Sequence, residues 1–158
     1  AAVELRVAPL VKDLCNKKDI SVGLEGKFSI YHAAAIGLGR GKGGLAEFTD
    51  EAVNDPMLKN LRDVITAVGD PTVNEDSVVV EVRLKDGRTV GMTLQGSLGN
   101  LARPLSDAQL EVKFRDQANM LTVEQVDAAI AACWDIESLE DMSSIIAHCI
   151  PGEKVRSG

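Results

Sequence analysis

The sequence predicts an α+β fold: one two-layer domain over residues 1–150, with an antiparallel sheet that includes a hairpin over 78–95, helices packed on it, and three consecutive helices at the end. Three observations predict this. Short runs alternate apolar and polar residues, Asp86-Gly87 separates two of those runs, and the last third changes to helical period with a capping signal before each apolar stripe. Strands and helices do not alternate regularly, which argues against a doubly wound parallel sheet.

Val3, Leu5 and Val7 alternate with Glu4 and Arg6, the period-two pattern of a half-buried strand, and Pro9 ends it ahead of a helical turn over 10–14. Residues 16–26 are polar and contain glycine, so they read as a loop. From 27 to 38, Phe28, Ile30, Tyr31, Ala34, Ala35 and Leu38 recur at helical spacing, and the alanines suit close packing against another surface. Gly37, Gly39, Gly41, Gly43 and Gly44 are expected to break that helix. Thr49 can cap a short helix over 50–54, and Asp55-Pro56 has the form of an N-cap and first helical position for the next. Residues 64–68 read as a strand ended by Gly69-Asp70-Pro71.

Val78, Val80 and Val82 form one alternating run and Val90, Met92 and Leu94 the next; Asp-Gly between them predicts a two-residue hairpin turn with positive φ at both central positions. Ser106 with Gln109, and Thr122 with Gln125, match capping boxes, and Ser138 is placed to cap a third helix. The stripes that follow are Leu110, Phe114 and Ala118; Val126, Ala129, Ile130 and Cys133; and Leu139, Met142, Ile145 and Ile146. Phe114 and Trp134 are expected in the core, and residues 151–158 form a polar tail.

A chain of 158 residues with 45% hydrophobic content can bury one core. Its formal charge of −7 and lack of a basic footprint argue against nucleic acid as a partner. No apolar run approaches the ~20 residues of a membrane span, and the N-terminus lacks signal-peptide order, so a cytoplasmic protein without a membrane partner is expected. Cys15, Cys133 and Cys149 are widely spaced, which reads as buried free thiols rather than a metal site, and His148-Cys149 are consecutive helix residues that point apart. The chain opens at Ala1 already in strand-like alternation, as an excised domain would.

Gly39-Arg40-Gly41-Lys42-Gly43-Gly44 follows a helix and has Gly43 after its lysine, so a helix exit is favoured over a phosphate-cradling loop. Asp50-Glu51 and Glu140-Asp141 sit near helix starts, where carboxylates complement the macrodipole. The segment Gly23-Leu24-Glu25-Gly26-Lys27-Phe28-Ser29-Ile30-Tyr31-His32 is different. It gathers Lys, Ser, Tyr and His at the amino end of a mostly buried helix, where free N–H groups together with Lys27 can hold a carboxylate. Simple helix capping accounts for the same pattern equally well.

That segment resembles the one opening the small domain of the MmgE/PrpD family. In order, Leu45-Ala46-Glu47-Phe48-Thr49-Asp50-Glu51-Ala52-Val53 with Asp55-Pro56, then Val82-Arg83-Leu84-Lys85-Asp86-Gly87-Arg88, then Arg103-Pro104-Leu105-Ser106-Asp107-Ala108-Gln109-Leu110-Glu111-Val112-Lys113-Phe114-Arg115, are similar to the family's next elements. The resemblance covers nearly the whole chain. It implies the carboxy-terminal small α+β domain of enzymes such as 2-methylcitrate dehydratase, cis-aconitate decarboxylase and iminodisuccinate epimerase, lyases and isomerases that act on small di- and tricarboxylates without a metal or organic cofactor.

The chemistry implied is proton abstraction next to a carboxylate, which needs a base and groups that stabilise developing negative charge. In the family most acid–base residues belong to a preceding all-helical domain, to which nothing in these 158 residues corresponds. The resemblance therefore implies a lid domain, inactive or nearly so alone, with the helical domain supplied in cis or in trans. Lys27, Ser29, Tyr31 and His32 are the lid candidates, Lys27 and Ser29 the expected substrate-binding residues, and a homodimer the expected assembly. Many dehydratase and decarboxylase members carry His where this chain has Phe28. The Lys-Phe-Ser form is expected to mark an epimerase-like or uncharacterised branch, with His32, four residues on, presenting an imidazole on the same face. The alternative is a non-catalytic binding or dimerisation module that retains the fold.

Overall fold

The computed structural model describes residues 1–152 and divides the chain into two compact units, one over Ala1–Pro104 and one beginning at Leu105. The single domain expected over 1–150 thus spans both. The tail expected over 151–158 lies, from residue 153 onward, outside the described residues.

The first unit is built on a four-stranded sheet of order β2-β1-β3-β4, with β1 at Ala2–Val7, β2 at Ile65–Gly69, β3 at Ser77–Arg83 and β4 at Thr89–Gln95. The α+β class is as the alternation predicts, but the sheet is mixed: β1 runs parallel to β2 and antiparallel to β3, and β3 runs antiparallel to β4. The parallel pair follows from the long helical crossover between β1 and β2, since parallel neighbours cannot be joined by a tight turn.

That crossover contains α1 (Pro9–Cys15), α2 (Gly23–Gly26), α3 (Ile30–Arg40), a 3₁₀ turn (Leu45–Phe48), α4 (Asp50–Asn54) and α5 (Pro56–Asp63). Its caps are those the residue types dictate. Thr49 Oγ1 accepts from Ala52 N, and Asp55 Oδ1 accepts from Met57 N with Pro56 at the first helical position. Two features differ from the sequence reading. A single turn, α2, stands inside the expected loop, and α3 passes through Gly37 and Gly39 to end at Gly41, whose φ of 70° is the left-handed C-cap that glycine adopts without strain.

Pairing aligns three rows of side chains on one sheet face: Ile65, Val3, Val82 and Val90; Ala67, Leu5, Val80 and Met92; Gly69, Val7, Val78 and Leu94. Tyr31, Ala35 and Ile36 of α3 and Leu58 of α5 pack with Val3, Leu5, Ile65 and Ala67 to form the core. Burial fades along each row, complete at β1, partial at β3 and lost at β4, all of whose residues are exposed.

The hairpin forms where Asp-Gly predicts it, but with a longer loop. Gly87 N donates to Leu84 O, Leu84 N to Arg88 O, and only Gly87 has positive φ. Lys85, Asp86 and Gly87 therefore make a three-residue loop, with Gly87 in the left-handed conformation that re-enters the strand.

In the second unit α6 (Asp107–Gln117) and α7 (Val123–Trp134) begin at the Ser106 and Thr122 capping boxes. The third helix does not begin at Ser138. That residue ends a 3₁₀ turn (Ile136–Ser138), and α8 (Ser143–His148) starts after Asp141, whose carboxylate accepts from Ser143 N at 2.9 Å and from the Ser143 hydroxyl. Phe114 and Trp134 are not enclosed. With Leu110, Glu111, Ile130 and Cys133 they line an open groove of about 270 Å³, and Trp134 Nε1 donates to Glu111 Oε1. The three cysteines are free, but Cys133 and Cys149 are exposed rather than buried, because few residues of this unit are enclosed at all.

Candidate functional site

The segment from Gly23 to His32 is anchored by hydrogen bonds to the preceding loop, the 3₁₀ turn, α4 and α5. Gly23 N donates to Asp50 Oδ1 at 2.7 Å, and a Cβ on Gly23 would stand 2.0 Å from Phe48 O, so only glycine permits this approach. Glu25 reaches back to residues 17–22: its carboxylate accepts from Lys17 Nζ at 2.5 Å, Ser21 N at 2.8 Å and Val22 N at 3.4 Å. The Lys17 ammonium first, and the Ser21 amide second, hold its pKa down to about 2.

Ser29 is the N-cap of α3. Its Oγ accepts from His32 N at 3.1 Å, and the residue is only 2% exposed. Helix geometry therefore begins at Ile30, three residues later than the apolar spacing suggested. Phe28 consequently lies in the turn before α3, so the four-residue spacing places Phe28 and His32 on different faces. Phe28 is 56% exposed and His32 is fully buried, which corrects the expectation of a shared face.

Both His32 nitrogens are engaged. Nε2 lies 2.8 Å from Glu47 O, which can only accept, and Nδ1 lies 3.2 Å from Arg62 Nη1, which can only donate. The ring is thus the neutral tautomer with its proton on Nε2. Burial chiefly, and the Arg62 and Arg40 charges in addition, lower its pKa against the opposing pull of the Glu47 carbonyl. Arg62 also donates to Val53 O at 2.8 Å, and Phe48 packs edge-on against the imidazole.

Tyr31 is buried as well. Its hydroxyl donates to Asn16 Oδ1 at 2.7 Å, and Lys18 Nζ stands 5.3 Å above its ring while donating to Ile65 O at 2.9 Å. Of the four lid candidates, Lys27 alone projects into solvent, beside the exposed Phe28. The structure joins Ser29 to His32, turns Tyr31 toward Asn16 and Lys18, and leaves Lys27 at the surface.

The glycine-rich exit from α3 is a structural junction. Glu47, itself buried, accepts from Gly44 N at 2.9 Å and lies 3.7 Å from Arg40 and 3.6 Å from Lys42; Arg40 pairs more closely with Asp55 at 2.8 Å. Both cations of the run are therefore occupied. Among the described residues there is no cluster of three His, Cys, Asp or Glu side chains suited to a metal ion.

Glu25 and Arg62 do as much for this site as the residues singled out in the sequence. Arg62 was missed although a signal existed, since it lies four residues after the apolar Leu58 and so shares its face of α5. Glu25 carried no such signal, because its partners lie in an irregular loop.

The family model of the MmgE/PrpD C-terminal domain matches residues 1–136. The chain belongs to the MmgE/PrpD family. The match covers the sheet, the crossover and both capping-box helices, and so includes the four stretches on which the resemblance rests. No curated protein matches the chain. No helix among the described residues is long and apolar enough to cross a membrane.

Proposed function

We propose that this MmgE/PrpD C-terminal domain is the lid side of a lyase or isomerase that acts on small di- or tricarboxylates by proton abstraction next to a carboxylate, and that Lys27 binds a substrate carboxylate. The observation carrying this reading is the placement of Lys27: an exposed ammonium on a turn whose backbone is fixed by Glu25, Asp50, the Ser29 cap and the His32–Arg62 contact. In a chain of net charge −7, a carboxylate ligand needs such a local cation. Ser29 acts by presenting the turn, since its hydroxyl is committed to the cap.

The base is assigned outside these residues. The Tyr31 hydroxyl and both His32 nitrogens already have partners, and neither side chain is free to take a substrate proton. As the family resemblance implies, we assign the catalytic base to the family's helical domain, joined in cis or supplied in trans, and take the active assembly to be a homodimer. A cytoplasmic location fits the small-metabolite substrate class.

Turnover of methylcitrate, cis-aconitate and iminodisuccinate tests this. The chain alone should show none. Complemented with the helical domain it should turn over one of them, and Lys27→Met should raise KM by tenfold or more, the loss of roughly 1.4 kcal/mol of substrate binding. An unchanged KM would remove Lys27 from the substrate site.

A further inference from the structure

Phe114 and Trp134, the two rings expected in the core, instead line an open groove of about 270 Å³ together with Leu110, Glu111, Ile130 and Cys133. Its walls are tied at two levels. Trp134 Nε1 donates to Glu111 Oε1 at 2.9 Å, and Arg115 Nη1 donates to Asp127 Oδ1 at 2.5 Å, so α6 and α7 run antiparallel with one cross-link at each level. The groove sets one carboxylate among five uncharged residues. Among the described residues only the Oε1 of Glu111 accepts a hydrogen bond, and no lysine, arginine or histidine pairs with it; Arg115, the cation one turn further along α6, pairs with Asp127 instead.

We propose that this groove binds a small organic ammonium ion that carries an apolar group, with its cationic head at Glu111 and the rings of Phe114 and Trp134, and its apolar part along Leu110 and Ile130. The lining selects this class. An anion would meet the Glu111 carboxylate in a chain of net charge −7. A neutral apolar ligand takes water away from that carboxylate and gives it no partner. A metal ion finds one carboxylate where it needs several oxygen ligands. An organic ammonium satisfies every wall: an ion pair with Glu111, cation–π attraction to the rings, and apolar burial for the rest of the molecule. Six residues line the groove, against roughly 20–30 a side for a stable protein interface, so the occupant is a free small molecule rather than a lysine of a partner protein.

Trp134 is the only tryptophan of the chain, so its fluorescence reports on the groove directly. The full chain is titrated at pH 7.5 with hexylamine, hexanol and hexanoate, which share an alkyl chain and differ in charge. Hexylamine should shift the emission saturably, hexanol should bind at least about tenfold more weakly, and hexanoate should not bind. Glu111→Gln removes the charge and keeps an acceptor for Trp134 Nε1. It should weaken hexylamine about tenfold and leave hexanol binding and the circular dichroism spectrum unchanged. Bound hexylamine should also slow alkylation of the exposed Cys133 by iodoacetamide and leave the exposed Cys149, which is not part of the lining, as reactive as before.

Equal affinity for hexylamine and hexanol, or for the wild type and Glu111→Gln, overturns the cation assignment. Absence of a saturable response, or a Cys133 that stays reactive at saturation, overturns the site. Shielding of Cys133 in the protein alone that grows with protein concentration would identify a second copy as the occupant and overturn the proposal.

Discussion

His32 is the clearest case of a side chain whose chemistry is set by what surrounds it. Its ring accepts from a guanidinium on one side and donates to a carbonyl on the other, so a second ring proton would have to sit against Arg62 with no acceptor. The folded state holds its pKa below the ordinary 6.5, and the unfolded chain therefore takes up the proton first. This contribution to stability is fully present above pH 6.5 and declines as pH falls below it, by up to about 1.4 kcal/mol per pH unit for one proton. Urea unfolding midpoints measured between pH 7.5 and pH 5 should fall in the wild type and stay level in His32→Gln over the part due to this residue. Glu25 acts in a lower window. Its carboxyl is held at about 2 against an ordinary 4.5, so its contribution is present above pH 4.5 and lost as pH falls toward 2. Glu25→Gln should remove that part of the acid-unfolding profile.

Gly23 makes the opposite kind of point, since what matters there is the absence of a side chain. A Cβ 2.0 Å from a backbone oxygen cannot be accommodated by a rotamer change, so Gly23→Ala must move either the turn or the 3₁₀ segment that ends at Phe48. The expected cost is about 3 kcal/mol, at the upper end of overpacking effects, read from the denaturation midpoint. Because the displaced turn also carries Lys27, the same variant should weaken carboxylate binding in the complemented enzyme.

At the scale of elements, the capping residues were the most legible part of the chain. Thr49, Asp55, Ser106 and Thr122 each cap the helix their residue type announces, because a cap is a local contact between a side chain and an amide two or three residues away. Thr122→Ala should cost α7 about 1 kcal/mol, measured as lost helical signal at its melting midpoint. The errors arose where two local signals competed, or where the deciding contact lay far along the chain. The Asp86-Gly87 signal located the hairpin, but the turn type depended on how Leu84 and Arg88 close the loop across the strands. The start of α3 was misplaced because Phe28 continues the apolar spacing while the Ser29 hydroxyl caps the helix so that it begins at Ile30. His32 was placed on the wrong face for the same reason, and its burial depends on Arg62, thirty residues away. The segment from Gly23 to His32 was legible as a helix start rich in polar groups, but the exposure of Lys27 and the burial of Ser29, Tyr31 and His32 within it were not.

At the scale of the whole molecule, apolar burial is unevenly divided. The buried hydrophobic residues of the first unit come from β1, β2, α3, α4 and α5, with Ala8 and Ile20 from the connections, whereas in the second unit only Val126 and Ala129 are buried among the described residues. Leu110, Val112, Val123, Trp134 and Ile146 all stand exposed there, so α6, α7 and α8 hold together through one thin seam. A helical layer with so small a core has little hydrophobic stabilisation to set against the entropy of ordering its residues. Native-state amide exchange should therefore separate the units: amides of β1 and β2 should exchange only by global unfolding, and those of α6–α8 through a local opening lower in free energy by several kcal/mol. If both sets of amides share one exchange free energy, the second unit draws its stability from outside its own seam. Adding the helical domain in trans distinguishes the two origins, since slowing confined to α6–α8 would identify the exposed apolar stripe as a surface that domain covers.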